Sequence, residues 1–413
     1  MSASSVWQPG PRPAWVRALN RLGDPEALSL DPTELIDDAT SRTGLEDFGD
    51  DAWQEGFEIF LAALRDEAKL NFVGRVLARA DVLNWLDNRL QMVDARRHHP
   101  EIAREAVERP VFILGLPRTG TSILHDLMGH DPRSRVPLAW EVRHPCPPPE
   151  AATYETDARI DRAEEEVRLW CDIVPEYDSM HELGARIPVE CIQITAHSFR
   201  SDELSGRHVV PSYAAWLAGA DLVPAYRFHR EMLQLLQWRA PGDRWVLKAP
   251  SHLGALGALL AVYPDARIVW THRDPLTVMA SVASILFSTA WVRSDAVDAK
   301  QVLQWFTGET CAALLGAGEA ARAAAANAGA RFHDVRYADL VDDPLAAIRG
   351  VYEAFDMPFD TDCETSLRRA VDAKPQGRHG AHRYDFSDTG WDPAEERERF
   401  RAYQARYDVP SEG

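Results

Sequence analysis

The stretch Val111-Phe-Ile-Leu-Gly-Leu-Pro-Arg-Thr-Gly-Thr-Ser122 decides the fold prediction. Its first four residues form a short, uninterrupted apolar run, which is typical of a strand buried on both faces of a sheet. A glycine-containing turn follows, and the apolar residues after that turn recur at helical spacing. The stretch therefore predicts a strand, a tight turn and a helix, an arrangement that suits the binding of a phosphate group.

Three later segments repeat this pattern of a strand followed by a helix. They begin at Trp245, Arg267 and Arg331. Buried strands that alternate with helices argue for a parallel sheet with helices on both faces. We therefore predict an α/β fold, a P-loop-like three-layer arrangement with a central parallel sheet.

The rest of the chain is predicted to be mostly helical. Residues 1–105 form a helical N-terminal region, in which Asp31 followed by a proline indicates a helix start. Residues 106–413 form the main domain. A helical insertion at about 145–240 interrupts the alternation of strands and helices, and we expect it to cap one end of the sheet, where α/β folds bind their ligands.

The composition restricts the classes of partner. The chain has 413 residues, 46% hydrophobic and 26% charged, with a net charge of −19, which disfavours nucleic acid. Its five cysteines are scattered and form no C-x-x-C pair, so neither a disulfide framework nor a zinc site is expected. With no signal peptide and no membrane span expected, the sequence predicts a soluble, cytoplasmic protein.

The turn after the first strand has the spacing of a P-loop, but Thr121 occupies the position of the lysine. Arg118 supplies a guanidinium fork that can hold two oxygens. Nucleotide hydrolysis on such a loop usually needs the missing lysine, with Mg²⁺ beside it, whereas a phosphosulfate can be bound without metal. The candidate ligand-binding residues of the loop are Pro117, Arg118, Thr119, Gly120, Thr121 and Ser122.

The loop resembles the 5′-phosphosulfate loop of the sulfotransferase superfamily, in particular of its broad bacterial branch. The resemblance extends over residues 110 to 384. It implies that the donor is 3′-phosphoadenosine 5′-phosphosulfate (PAPS), that the product is 3′-phosphoadenosine 5′-phosphate (PAP), and that no metal takes part.

Further segments resemble the 3′-phosphate and adenine elements of this family. Arg273 ends a predicted strand, a proline follows, and Ser281 lies eight residues after the arginine. Tyr337 opens a segment similar to the family's Y-x-D-L-x-x-D-P, which implies a position near the adenine. A late basic stretch similar to the one that closes over the 3′-phosphate contains Lys374, Arg378 and Arg383.

Two candidates for the catalytic base come from different relatives. The segment around His252 resembles the K-T-H-L-P segment of cytosolic sulfotransferases but has two inserted residues; its Lys248 is expected to point toward the donor. Glu141 lies where tyrosylprotein sulfotransferases keep a catalytic glutamate. His252 is favoured, and Glu141 is the alternative or the group that orients the imidazole. By resemblance to bacterial relatives, His181 and Glu190 are candidates for the acceptor site.

The sequence therefore predicts a sulfotransferase that acts on a hydroxyl of a small molecule by in-line transfer, with Arg118 and Lys248 stabilising the developing charge. A lipophilic or phenolic acceptor would fit the aromatic residues that could line a cleft, namely Trp140, Trp170, Tyr213, Trp216 and Phe228. A P-loop kinase or nucleotide hydrolase and a non-catalytic nucleotide-binding module are the alternatives. The sequence leaves a homodimer open.

Overall fold

The computed structural model describes residues 10–180, 182–304, 306–325, 330–373 and 386–412. In this part of the chain five parallel strands form one sheet in the order β2-β3-β1-β4-β5. The strands are β1 Val111–Gly115, β2 Ser134–Arg135, β3 Arg244–Lys248, β4 Arg267–His272 and β5 Arg331–Arg336. The predicted α/β fold with a central parallel sheet is confirmed.

Helices surround this sheet and also build the regions before it and within the insertion. The α-helices of the described residues are α1 Ala14–Leu22, α2 Pro32–Thr43, α3 Gln54–Asp66, α4 Phe72–His98, α5 Thr121–Gly129, α6 Ala139–Arg143, α7 Arg159–Ile173, α8 Cys191–Thr195, α9 Asp202–Arg207, α10 Pro211–Gly219, α11 Val223–Gln237, α12 Leu256–Val262, α13 Pro275–Arg293, α14 Ala299–Leu303, α15 Gly308–Ala325, α16 Tyr337–Asp342, α17 Pro344–Ala354, α18 Thr361–Ala373 and α19 Pro393–Tyr407. Short 3₁₀ segments are Pro25–Ala27, Ile102–Arg104, Tyr154–Thr156, Pro175–Ser179, Ala196–Ser198, Pro250–Leu253 and Phe386–Thr389.

The central strand β1 shows why the fold has three layers. All five of its residues are buried, because successive side chains of a strand point to opposite faces and both faces are covered. Val111 and Ile113 pack in the cluster that contains residues of α5, α17 and α18. Phe112 and Leu114 pack in the opposite cluster, with residues of α11, α12 and α19.

The N-terminal helices pack on the insertion. One apolar cluster combines residues of α2, α3 and α4 with residues of the insertion such as Phe199 and Tyr213. A buried ion cluster joins α4 to α9 of the insertion and to α13: Asp81 of α4 accepts hydrogen bonds from Arg207 at 2.9 Å and from Arg293 at 2.7 Å. Burial alone would raise the pKa of Asp81, but the two guanidinium groups hold it well below its ordinary value.

The start of α2 follows the sequence prediction. Asp31 is the N-cap, and its carboxylate accepts hydrogen bonds from the backbone N–H groups of Thr33 at 2.9 Å and Glu34 at 3.2 Å. Pro32 occupies the first helical position, where its missing N–H has no intrahelical partner to lose. The helix ends at Gly44, whose φ of 69° is left-handed.

Helix α13 corrects the expectation that no stretch is apolar enough to cross a membrane. Its 19 residues are long and apolar enough to do so by length and composition. However, 78% of its most apolar window is buried inside the fold. This burial is typical of the core helix of a globular domain.

Candidate active site

The carboxyl ends of neighbouring strands bring the candidate residues together. Strand β1 ends at Gly115, where the loop begins, and β3 ends at Lys248. Arg273 directly follows β4, and Tyr337 directly follows β5. Because all four strands are parallel and adjacent, these positions lie along one edge of the sheet, which is where open α/β sheets bind ligands.

The loop between β1 and α5 has a backbone that requires glycine at two positions. Gly115 has a φ of 145° and Gly120 a φ of 89°. A Cβ at Gly115 would lie 2.5 Å from the carbonyl oxygen of Thr271, and one at Gly120 would lie 2.8 Å from Leu340. Arg118 between them is also left-handed, with a φ of 64°. The turn therefore passes close to β4 and α16 before α5 begins.

The hydroxyls of the loop have different positions. Thr119 is fully buried, and its hydroxyl donates to the carbonyl oxygen of Leu116 at 2.6 Å and lies 2.6 Å from the Thr271 hydroxyl. The Thr119 side chain thus holds the loop against β4, and a contact of its hydroxyl with a ligand stays a prediction. Thr121 is 3% exposed, whereas Ser122 is exposed. Pro117, before the left-handed Arg118, is half-buried.

Lys248 links the end of β3 to the loop and to the insertion. Its side chain is 2% exposed, and its ammonium group donates to the Ser122 hydroxyl at 3.0 Å and to the Glu190 carboxylate at 2.5 Å. Glu190 directly precedes α8 and keeps 21% of its side chain exposed. The structure thus brings a cation and a partly exposed carboxylate to the loop.

Arg118 reaches the residue expected to bind the 3′-phosphate. Its Nε donates to the Ser281 hydroxyl at 3.1 Å, and its Nη1 donates to the carbonyl oxygen of Met180 at 3.4 Å. Ser281 lies on α13 and is fully buried. The sequence analysis expected Ser281 to act with Arg273, whereas here the serine contacts the loop arginine and joins the two phosphate elements.

Arg273 holds a carboxylate. Its Nε and Nη2 donate to the two carboxylate oxygens of Glu412 at 2.8 and 2.7 Å, while its Nη1 donates to the Arg118 carbonyl oxygen at 3.0 Å. The guanidinium lies over the ring of Tyr337, 3.9 Å from its centroid. Glu412 was missed by the sequence analysis, and no motif around it could have pointed to a contact 139 residues away.

Glu141, one of the two predicted bases, lies in the interior. Its side chain is fully buried, and its carboxylate accepts hydrogen bonds from Arg135 at 2.8 Å, from the Tyr154 hydroxyl at 3.2 Å and from the backbone N–H of Leu138 at 3.1 Å. The glutamate caps the start of its own helix and neutralises a buried arginine. A carboxylate enclosed in this way is sealed from an acceptor hydroxyl.

His252 is also buried in the interior. Its imidazole is 2% exposed, its Nδ1 lies 2.6 Å from the Tyr226 hydroxyl, and its ring packs edge-on against Phe112 of β1. Nε2 has no hydrogen-bond partner among the described residues and is closed off from solvent. Burial, with the nearby charge of Lys248, holds the pKa of His252 well below its ordinary value. Tyr226 therefore takes the orienting position expected of Glu141, and a role of the buried His252 imidazole as base stays a prediction.

The remaining candidates lie outside the described residues. These are His181, Lys374, Arg378 and Arg383. The aromatic residues proposed for an apolar cleft include Trp140 and Tyr213, which are fully buried in core clusters. These two side chains line no cleft, so they give no support to a lipophilic acceptor.

Comparison with known proteins agrees with this geometry. A family model described as "Sulfotransferase family" matches residues 110–361. The crystal structure of sulfotransferase STF1 from Mycobacterium tuberculosis is 33% identical, with a TM-score of 0.78, and the match covers 91% of this chain and 99% of that one. Sulfotransferase STF9 from Mycobacterium avium is 28% identical, with a TM-score of 0.83 and coverage of 93% and 98%. No curated protein sequence matches the chain. With more than half of its length matched by the family model, the chain belongs to the sulfotransferase family.

Proposed function

We propose that this protein transfers a sulfuryl group from PAPS to a hydroxyl of a small-molecule acceptor. Sulfuryl transfer in general follows from the family. The observation that carries the choice of donor is a pair of arginines: Arg118 in the loop after β1 and Arg273 directly after the neighbouring β4. A hydrogen bond from the Arg273 guanidinium to the backbone carbonyl oxygen of Arg118 links the two residues. Two guanidinium groups at one edge suit a ligand with anionic groups at two ends.

The residues present fit such a donor. The fork of Arg273 already holds a carboxylate in two parallel hydrogen bonds, so the Glu412 carboxylate stands in for an anion of the size of a 3′-phosphate. At the other end, the N-terminus of α5 and the exposed Ser122 face the expected position of the 5′-phosphate. Tyr337, packed beside Arg273, supports a place for the adenine near its ring.

Lys248 and Arg118 would stabilise the charge that develops on the 5′-phosphate as it leaves. An ammonium group has three N–H donors, and Ser122 and Glu190 take two of those on Lys248. No group of the described residues accepts from the third, which supports its use by a bound anion. Donors that are already oriented and poorly solvated stabilise such charge without further rearrangement.

Glu190 is the base that the geometry supports best. It is a partly exposed carboxylate in contact with Lys248 at the end of β3, whereas Glu141 and His252 are buried in the interior. In the proposed reaction a bond forms between the acceptor oxygen and sulfur while the bond from sulfur to the 5′-phosphate oxygen breaks. The acceptor proton passes to the Glu190 carboxylate. The net charge of −19 supports a small-molecule acceptor rather than a nucleic acid.

Calorimetric titration with PAP in the absence of Mg²⁺ tests the donor. We expect low-micromolar binding to the wild type, weakened about 100-fold in Arg273→Ala because a bidentate charged contact is lost. ATP should bind much more weakly than PAP. Thr121→Lys, which restores the P-loop lysine, reports whether the loop favours a polyphosphate.

The two alternatives give different results in the same titration. A preference for Mg²⁺–ATP over PAP would replace the sulfotransferase proposal with a kinase or nucleotide hydrolase. PAP binding without turnover of any tested alcohol, phenol or sugar would favour a non-catalytic nucleotide-binding module.

A further inference from the structure

The 409–412 segment returns from the end of α19 to the carboxyl edge of the sheet. Val409 is buried, and its backbone N–H donates to the carbonyl oxygen of Gln404 at 2.9 Å. The backbone N–H of Glu412 donates to the carboxylate of Asp274 at 2.7 Å, and the Glu412 carbonyl oxygen accepts from Arg397 at 3.0 Å. These backbone contacts aim the Glu412 side chain at Arg273.

We propose that Glu412 is an internal competitor for the site of the donor's 3′-phosphate and that its carboxylate leaves Arg273 when the donor binds. This inference rests on the proposed function, since it takes Arg273 as the 3′-phosphate ligand. Glu412 occupies the Nε and Nη2 positions of the guanidinium, and the Nη1 position contacts the Arg118 carbonyl. The side of the fork that would grip a phosphate with two parallel bonds is therefore taken.

The contact can open without leaving a buried charge unpaired. Asp274 is fully buried, but Arg397 donates to its carboxylate at 2.6 Å, and the backbone N–H of Leu276 donates to it at 3.1 Å. Both contacts remain when Glu412 moves away. The Glu412 side chain is 34% exposed, so water reaches it before release. When Glu412 leaves Arg273, two charged hydrogen bonds to the guanidinium and the backbone contacts of residue 412 are lost. A bound phosphate restores the two hydrogen bonds to the guanidinium.

The equilibrium between the closed and open arrangements of Glu412 sets how much the apparent affinity for PAP is reduced. A carboxylate on a short tether is present at a millimolar effective concentration near its partner. If the closed arrangement is populated several times more than the open one, the apparent affinity for PAP falls by that same factor. We expect a loss of about three- to tenfold relative to a protein that cannot close.

The first test compares PAP binding to the wild type, to Glu412→Gln and to Glu398→Gln. Glu398 lies on α19 with its side chain 66% exposed, and its ion-pair partner in the described part of the chain is Arg401, so its replacement is the matched control. Glu412→Gln should bind PAP about three- to tenfold more tightly than the wild type. Glu398→Gln should match the wild type. Equal affinity in all three proteins, or weaker binding to Glu412→Gln, would overturn the proposal, and the second result would make Glu412 part of the binding surface.

A second readout follows the segment itself. Hydrogen exchange of the backbone amide of residue 412 should speed up when PAP is added, because its bond to Asp274 opens, while the amide of Leu276 in α13 stays protected. PAP binding with unchanged protection at residue 412 contradicts the inference while leaving the proposed function intact. If PAP binds neither the wild type nor Glu412→Gln, the proposed function fails, which is a different result.

Discussion

The ion pairs at the carboxyl edge of the sheet differ from the polar contacts in the interior beside it. At the edge, Glu190 and Glu412 keep 21% and 34% of their side chains exposed, so each can exchange its partner for a ligand. In the interior, Glu141 is fully buried and His252 is 2% exposed, each enclosed by protein groups. Residue type sets the chemistry that a side chain can perform, whereas exposure decides whether a ligand can use it.

This contrast predicts two separable kinds of variant. A change of Glu190 or Glu412 at the edge alters binding or turnover, and it lowers the free energy of unfolding less than an interior change does, since both carboxylates are partly solvated. A change in the interior lowers the free energy of unfolding, and the protein that remains folded keeps its turnover.

The largest expected effect is that of Glu190→Gln at the edge. Removal of a general base lowers kcat by about 10²- to 10⁴-fold, and the affinity for PAP should change by less than about threefold. Initial rates with labelled PAPS and an acceptor found by screening measure the first quantity, and calorimetry measures the second. Glu165→Gln, on the exposed face of α7, is the control. A kcat within tenfold of the wild type would remove Glu190 from the mechanism.

Glu141→Gln should have the largest effect in the interior. The variant leaves the buried guanidinium of Arg135 without its charged partner, which costs about 3–5 kcal/mol of unfolding free energy. Urea unfolding measures this loss, and Glu155→Gln, whose side chain is 76% exposed, should lose less than about 0.5 kcal/mol. If Glu141→Gln is well folded and its kcat is 100-fold lower than that of the wild type, Glu141 rather than Glu190 is the catalytic base.

A smaller effect per group comes from the buried histidines. Burial lowers the pKa of His229 to about 3 and that of His252 well below 6.5, so both stay neutral in the folded protein. The unfolded chain binds their protons near pH 6.5, and the folded chain does not. Protonation of the unfolded chain therefore leaves the free energy of unfolding unchanged well above pH 6.5. Below pH 6.5 it lowers the free energy of unfolding by about 1.4 kcal/mol per pH unit for each histidine.

Urea unfolding between pH 7.5 and 5.5 measures this dependence. Over this range the unfolding free energy of His229→Asn should fall by about 1.4 kcal/mol less in total than that of the wild type, because the unfolded wild-type chain takes up one more proton. If the unfolding free energy of His229→Asn depends on pH as that of the wild type does, His229 is protonated in the folded protein. The interior would then be more accessible to solvent than the comparison with the edge of the sheet requires.

The sequence predicted the sheet well because its strands carry local signals. Strands β1, β3, β4 and β5 begin within one residue of the predicted starts. Apolar runs mark the first three, in which every residue is buried, whereas β5 is a mostly exposed or half-buried strand at the edge of the sheet. Strand β2 was missed, because its two residues, Ser134 and Arg135, contain no apolar run. The predicted boundary near residue 105 stays a prediction.

The candidate site was only partly predictable. The loop and the ends of the strands could be found because parallel strands bring their carboxyl ends to one edge. The direction of a side chain could not, because partners distant in sequence decide it: His252 faces Tyr226, and Thr119 faces Thr271. The motif around His252 could suggest a histidine base, because a motif is a local feature of the sequence. The contact between Lys248 and Glu190 joins residues far apart in the sequence, so it appeared only in the structure.

Helix α13 has a consequence for how the chain must be made. It carries Ser281 in its first half and Arg293 at its end, so its 19 residues connect the carboxyl edge of the sheet to the ion cluster around Asp81. An intermediate in which this helix has formed but is not yet covered exposes a segment as apolar as a membrane span. Such a surface associates with other chains at micromolar concentrations. Refolding yield should therefore fall steeply with protein concentration, and covering α13 is the step on which a chaperone would act.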